Sequence, residues 1–87
     1  MDTLIAMGST AANSSAQTLN AGERATVVIT GKGYAYIDVQ GVGGTFVRHG
    51  SLSTTAPGRN AFQIEGPVVY RVRRPAQAGS CAIGVES

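Results

Sequence analysis

One imidazole, five carboxylates, one thiol and a run of arginines carry whatever chemistry this sequence could perform. The imidazole is His49, in Val47-Arg48-His49-Gly50-Ser51, with Ser53 two residues further on. Nucleophilic catalysis needs a hydroxyl or thiol beside a base that a third group orients. A Ser/His pair this close is common by chance in a Ser-rich chain, and His49 reads as a solvated loop histidine. Asp2, Glu23, Asp38, Glu65 and Glu86 are scattered. Glycosidase chemistry needs two carboxyls at a fixed separation, and a calcium loop needs them clustered. Asp38 faces out beside Tyr36, either solvated or paired with a nearby arginine. Gly41-Val42-Gly43-Gly44 is followed by neither a helix nor Lys-Ser/Thr, so it reads as a β-bulge or tight turn rather than a phosphate loop. Cys81 falls on the inward face of a strand, where a single cysteine acts as a small hydrophobe. No catalytic, cofactor-binding or metal-ligating residue is expected.

The arginines point elsewhere. Arg71, Arg73 and Arg74 lie within four residues of one another, and Arg48 and Arg59 could approach them. Arg71 and Arg73 share one strand face. Tyr34 and Tyr36 share a face of another strand. Arginine makes forked, planar contacts and is enriched at interfaces with tyrosine. Arg71, Arg73, Arg74, Tyr34 and Tyr36 are therefore the candidates for a partner interface, against the plainer reading of a solvated sheet face. A nucleic-acid groove would need a stronger basic balance than the formal net charge of +2.

These side chains must be positioned by a thin scaffold. With 87 residues the chain makes one small domain, which buries only ~60–65% of its unfolded surface. Charged residues make up 14%, well below the roughly 25% of an ordinary domain. No apolar run approaches the ~20 residues of a membrane-spanning helix, and Met1 to Met7 lacks the basic start and apolar stretch of a signal peptide. One cysteine excludes an intrachain disulfide framework and a cysteine-based zinc site.

Short β segments punctuated by Gly and Pro run through most of the chain. Residues 25–30, 34–40, 45–48, 61–65, 68–73 and 81–85 read as strands, with 51–56 β-compatible. Ala35, Ile37 and Val39 form one inward face, Phe62 and Ile64 another, and Cys81, Ile83 and Val85 a third. Gly31-Lys32-Gly33 suggests a tight hairpin, and Ala56-Pro57-Gly58-Arg59-Asn60 a turn. Connections are too short for parallel crossovers. The expected fold is all-β: a small antiparallel β-sandwich or barrel of six to seven short strands. Residues 8–17, GSTAANSSAQ, have little to bury, so 1–17 is expected to be an extended N-terminal arm or linker and 18–87 the β-sandwich domain.

Residues 18–30, TLNAGERATVVIT, and 51–74, SLSTTAPGRNAFQIEGPVVYRVRR, resemble small β-sandwich virion proteins of tailed bacteriophages, of the capsid decoration (cement) or head- or tail-fibre type. The likeness covers about residues 18–86. It implies a non-enzymatic structural role on the capsid surface, with the major capsid protein or another virion protein as partner and no cofactor. It implies a homo-oligomer, which would help a chain this short. It assigns no functional residue. A fibre tip or host-surface module that binds carbohydrate, with Tyr34 and Tyr36 as stacking faces, is the alternative.

Overall fold

The computed structural model describes residues 2–41, 43–55 and 58–86. Nine strands form there: β1 (Asp2–Gly8), β2 (Ala12–Asn13), β3 (Gln17–Leu19), β4 (Arg24–Gly31), β5 (Tyr34–Gln40), β6 (Phe46–Ser53), β7 (Ala61–Glu65), β8 (Val68–Arg74) and β9 (Cys81–Glu86). The all-β expectation holds. Strands β5 and β7 begin and end where their alternation does. Strand β6 runs five residues past Arg48, because it bends around an extra residue rather than stopping. Val42, Ala56 and Pro57, within two of the expected turns, lie outside the described residues.

All pairings are antiparallel and make two packed sheets, one in the order β1-β9-β4-β7 and the other β2-β8-β5-β6, with β3 also on β8. Strand β2 meets Arg73 and Arg74, and β3 meets Val68 to Tyr70 further along β8, so the two are pieces of one interrupted edge. Ser14 spans the break. Its N–H donates to Val72 O at 2.8 Å, and its hydroxyl accepts the Val72 N–H at 2.8 Å. Counted this way each sheet has four strands, and the chain changes sheet at every connection except the β5–β6 hairpin. That winding is the jelly roll, two Greek keys in a double sheet.

The core between the sheets follows from the alternation. Val27, Ile37, Leu52, Tyr70, Val72, Cys81 and Ile83 are fully buried, joined by Ile5, Ala25, Ile29, Ala35 and Ile64. Fully burying one large apolar side chain stabilises by ~1.5–3 kcal/mol, so a short list like this must be well packed.

Two expectations are corrected. Gly31-Lys32-Gly33 does not close a hairpin, since β4 and β5 lie in opposite sheets. Their apolar sides, Ala25-Val27-Ile29 and Ala35-Ile37, face each other across the core instead of lying side by side. Gly31 takes φ 97° as the chain turns the corner, and a Cβ there would meet Ser80 O at 2.5 Å. The Lys32 N–H donates to that same oxygen at 2.8 Å.

The second correction concerns 1–17, expected as an extended arm. Its described residues are built into both sheets. Strand β1 pairs along β9, with Ile5 opposite Ile83 and buried in the core, and β2 edges the other sheet. An edge strand needs only one buried face, and ladder hydrogen bonds are indifferent to side chain, so a sparse apolar pattern suffices.

Arg74 fastens this segment. It follows Tyr70 and Val72 on the inward face of β8 and is 4% exposed. Its Nε donates to Thr10 O at 2.8 Å, and its Nη1 to Ala6 O at 2.7 Å and Cys81 O at 2.8 Å. It thus joins one sheet to β1 and β9 of the other. It points away from Arg71 and Arg73 because adjacent strand residues face opposite ways. Arg74→Met, which keeps the bulk and removes the donors, should cost ~2–4 kcal/mol in urea unfolding, for the loss of three charged hydrogen bonds and the orphaning of the buried Cys81 carbonyl. Arg24→Met, on the exposed start of β4, should cost under about 0.5 kcal/mol.

Burial also pushes the Tyr70 phenol above the ordinary tyrosine value. The folded chain holds that proton after the unfolded chain has released it. The stabilisation is therefore complete below pH ~10 and is lost as pH rises beyond it. Ultraviolet titration should show a tyrosine ionising late, and Tyr70→Phe should remove that step and weaken the alkaline loss of stability.

Candidate functional site

The outer face of β5, β6 and β8 gathers the polar chemistry. Cross-strand register places Arg73, Tyr36 and Ser51 in one row and Arg71, Asp38 and Arg48 in the next. Phe46 opposite Gln40 and Ser53 opposite Tyr34 extend the face at its two ends.

Asp38 is the hub of this face. It sits on the solvent side of β5 yet is 2% exposed, because the arginines beside it lie over it. Arg71 Nε donates to Asp38 Oδ2 at 3.3 Å and Arg73 Nε to the same oxygen at 3.2 Å. Of the two environments open to Asp38, it takes the paired one. Its other oxygen, Oδ1, is buried without a partner among the described residues. Such an orphan costs ~1–3 kcal/mol, which the two charge-assisted bonds offset.

Both guanidiniums bind Asp38 edge-on through Nε. Their Nη groups have no protein acceptor among the described residues. The Arg71 guanidinium stacks on Phe46, 4.4 Å from the ring centroid. Arg73 and Arg48 approach Tyr36 from the strands on either side, at 5.0 and 4.8 Å. Each such contact contributes ~0.5–1 kcal/mol and fixes the head group as well. Tyr34 meets Tyr36 edge to face, with centroids 5.9 Å apart. The Gln77 side chain holds the Tyr34 backbone, accepting its N–H and donating to its carbonyl, both at 2.8 Å.

Four of the five residues singled out in the sequence therefore meet on one surface: Arg71, Arg73, Tyr34 and Tyr36. Arg74 does not join them, being the clasp inside the sandwich. Asp38, Phe46 and Arg48 complete the surface. The sequence marked Asp38 only as an acid in the middle of an outward stripe, since the arginines opposite it come from another strand.

A cleft adjoins this surface where the edges of β6 and β7 meet. Tyr36, Arg48, His49, Ser51, Arg59 and Phe62 line it. His49 is the extra residue of a β-bulge, since Ile37 pairs with Gly50 and Asp38 with Arg48. It meets Phe62 edge to face, with centroids 5.7 Å apart. Phe62 lies so close over Gly50 that a Cβ there would come within 2.5 Å of the ring. The expectation of a solvated His49 holds for its exposure, but the bulge gives it a fixed place. Among the described residues no group of three His, Cys, Asp or Glu side chains could hold a metal ion.

The fold and this face describe a small jelly-roll sandwich with a cationic, aromatic outer surface. No known protein family, curated protein or solved structure matches the chain.

Asp38→Asn removes the one carboxylate shared by Arg71 and Arg73. It should cost ~1–3 kcal/mol, below the ~3–5 kcal/mol of a fully buried pair because both arginines are partly solvated. Denaturant unfolding measures that loss, and the Arg71 and Arg73 Nε–H signals in nuclear magnetic resonance should broaden or shift together.

Proposed function

We propose that the chain is a structural virion protein of the decoration or cement type, acting by binding rather than by chemistry. It sits at the capsid surface, as a homo-oligomer, and holds the major capsid protein or another virion protein. The outer face of β5, β6 and β8 is the contact, centred on Arg71, Arg73 and Tyr36.

One observation carries this reading. Two arginines are anchored by Nε to a buried carboxylate and leave their Nη groups without an acceptor among the described residues. Arginine held in place by stacking and a fixed ion pair loses little entropy on binding a further acceptor, which is how interface hot spots are built. The jelly roll recurs in viral capsid and lectin domains, and that analogy supports the reading at the level of architecture. Oligomerisation fits a chain of 87 residues whose outermost strands, β1 and β7 in one sheet and β2 and β6 in the other, carry free edges.

A host-surface or carbohydrate-binding module is the second reading, favoured by the cleft. Sugar stacking on Tyr36 is not part of it, because guanidiniums already cover that ring.

The test begins with particles purified on a density gradient from the source lysate. The chain should co-sediment in fixed stoichiometry by mass spectrometry. Added back to particles lacking it, the wild-type chain should bind and the Asp38→Asn, Arg71→Gln, Arg73→Gln triple variant, which leaves no unpaired buried carboxylate, should not, with its circular dichroism unchanged. Absence from intact particles overturns the proposal, and full binding by the triple variant removes this face from it.

A further inference from the structure

We propose that the cleft at the β6–β7 edge binds a small oxyanion-bearing ligand, a carboxylate or a phosphate, between Arg48 and Arg59. The site goes beyond the assembly reading and stands whether or not the chain joins a particle.

Charge is the first argument. Arg48, Arg59 and His49 line the cleft, and no Asp or Glu lines it among the described residues. The Arg48 guanidinium stacks on Tyr36 but has no carboxylate partner, and the Arg59 side chain has no hydrogen-bond or ion-pair partner among the described residues. Asp38, opposite Arg48 in register, is already committed to Arg71 and Arg73. Two guanidiniums therefore share one recess without an internal counter-charge.

Shape and placement are the second argument. The recess measures about 620 Å³, within the ~300–1,000 Å³ typical of small-molecule sites. Its walls are ordered by the fold. The Arg59 carbonyl accepts the Ser53 N–H at 2.8 Å, which ties that residue to the end of β6. The bulge brings His49 to the same edge, and Phe62 over Gly50 supplies an apolar floor.

Ligand chemistry follows from these groups. A guanidinium fork matches the paired oxygens of a carboxylate or phosphate, and the Ser51 hydroxyl can complete the shell. A nucleic-acid strand is a poor match, since it needs a track of cations longer than this recess offers.

The experiment uses the full chain labelled with nitrogen-15 and titrated at constant pH and ionic strength. The probes are sodium glucuronate, inorganic phosphate and, as the neutral control, glucose. Saturable amide shifts at His49, Gly50, Ser51, Arg59 and Phe62 are expected with at least one anion and not with glucose. The tighter of the two anions identifies the source, a sugar acid or a phosphate. Arg48→Gln and Arg59→Gln should each weaken that anion about tenfold, the equivalent of ~1.4 kcal/mol and one lost charged hydrogen bond. Arg24→Gln, on the exposed start of β4 and outside the cleft, should leave it within about twofold. The proposal is overturned if neither anion gives saturable shifts, if glucose matches them, if both cleft variants bind as the wild type does, or if Arg24→Gln weakens binding as much as they do.

Discussion

A buried guanidinium holds the two sheets of this sandwich together at one end. Arg74 projects inward from β8 and spends its donors on carbonyls of Ala6, Thr10 and Cys81. A charge without a carboxylate is expensive to bury, and the cost is tolerable here because backbone acceptors replace the lost water. The return is geometric. Strand β1 has only Ile5 fully in the core, and its pairing with β9 is irregular. Without Arg74 the first strand would rest on an interrupted ladder, the buried Ile5 and the half-buried Leu4. In a domain whose whole stability is of order 5–15 kcal/mol, that end decides whether the jelly roll closes.

Once the sheets are closed, the outer face follows. Inward placement of Tyr70, Val72 and Arg74 forces Arg71 and Arg73 outward on the same strand. Inward placement of Ala35 and Ile37 puts Tyr36 and Asp38 outward beside them. The resulting rows alternate cation with aromatic or acid, so each guanidinium finds a ring or a carboxylate. The bulge at His49 then keeps both Arg48 and Ser51 on the outer side, although three positions on β6 separate them where two on β5 separate their partners. One inserted residue thus completes the Arg48–Tyr36 stack and opens the neighbouring cleft.

The cation-rich face and the cleft share Tyr36 and Arg48, which makes them neighbours with different chemistry. The face is broad, and its cations are tethered to a buried acid. The cleft is concave, and no acid lines it among the described residues. A large partner would read the first through many weak contacts, and a small anion would read the second through a few strong ones. Arg48 is the residue through which occupation of one would be felt at the other.

Local pattern alone determined the strands and their faces. Period-2 alternation marked Ala35 and Ile37, Phe62 and Ile64, and Cys81 and Ile83 as inward, and all lie on the core side. The same rule placed Arg71 and Arg73 with Tyr36, because strand parity is a property of the chain. It also contained the fate of Arg74, one residue from Arg73 and so on the opposite face, which the charge cluster obscured. What only the tertiary structure decided was which sheet each strand joins. Gly31 and Gly33 permit a hairpin or a sheet change equally well, and the choice rests on core packing between β4 and β5. The first seventeen residues carry a sparse apolar pattern, and Asp2–Gly8 and Ala12–Asn13 among them became strands because β9 and β8 offered them open edges. Asp38 turned from a surface acid into a buried hub for the same reason: its burial is made by side chains from another strand, and no local pattern contains them.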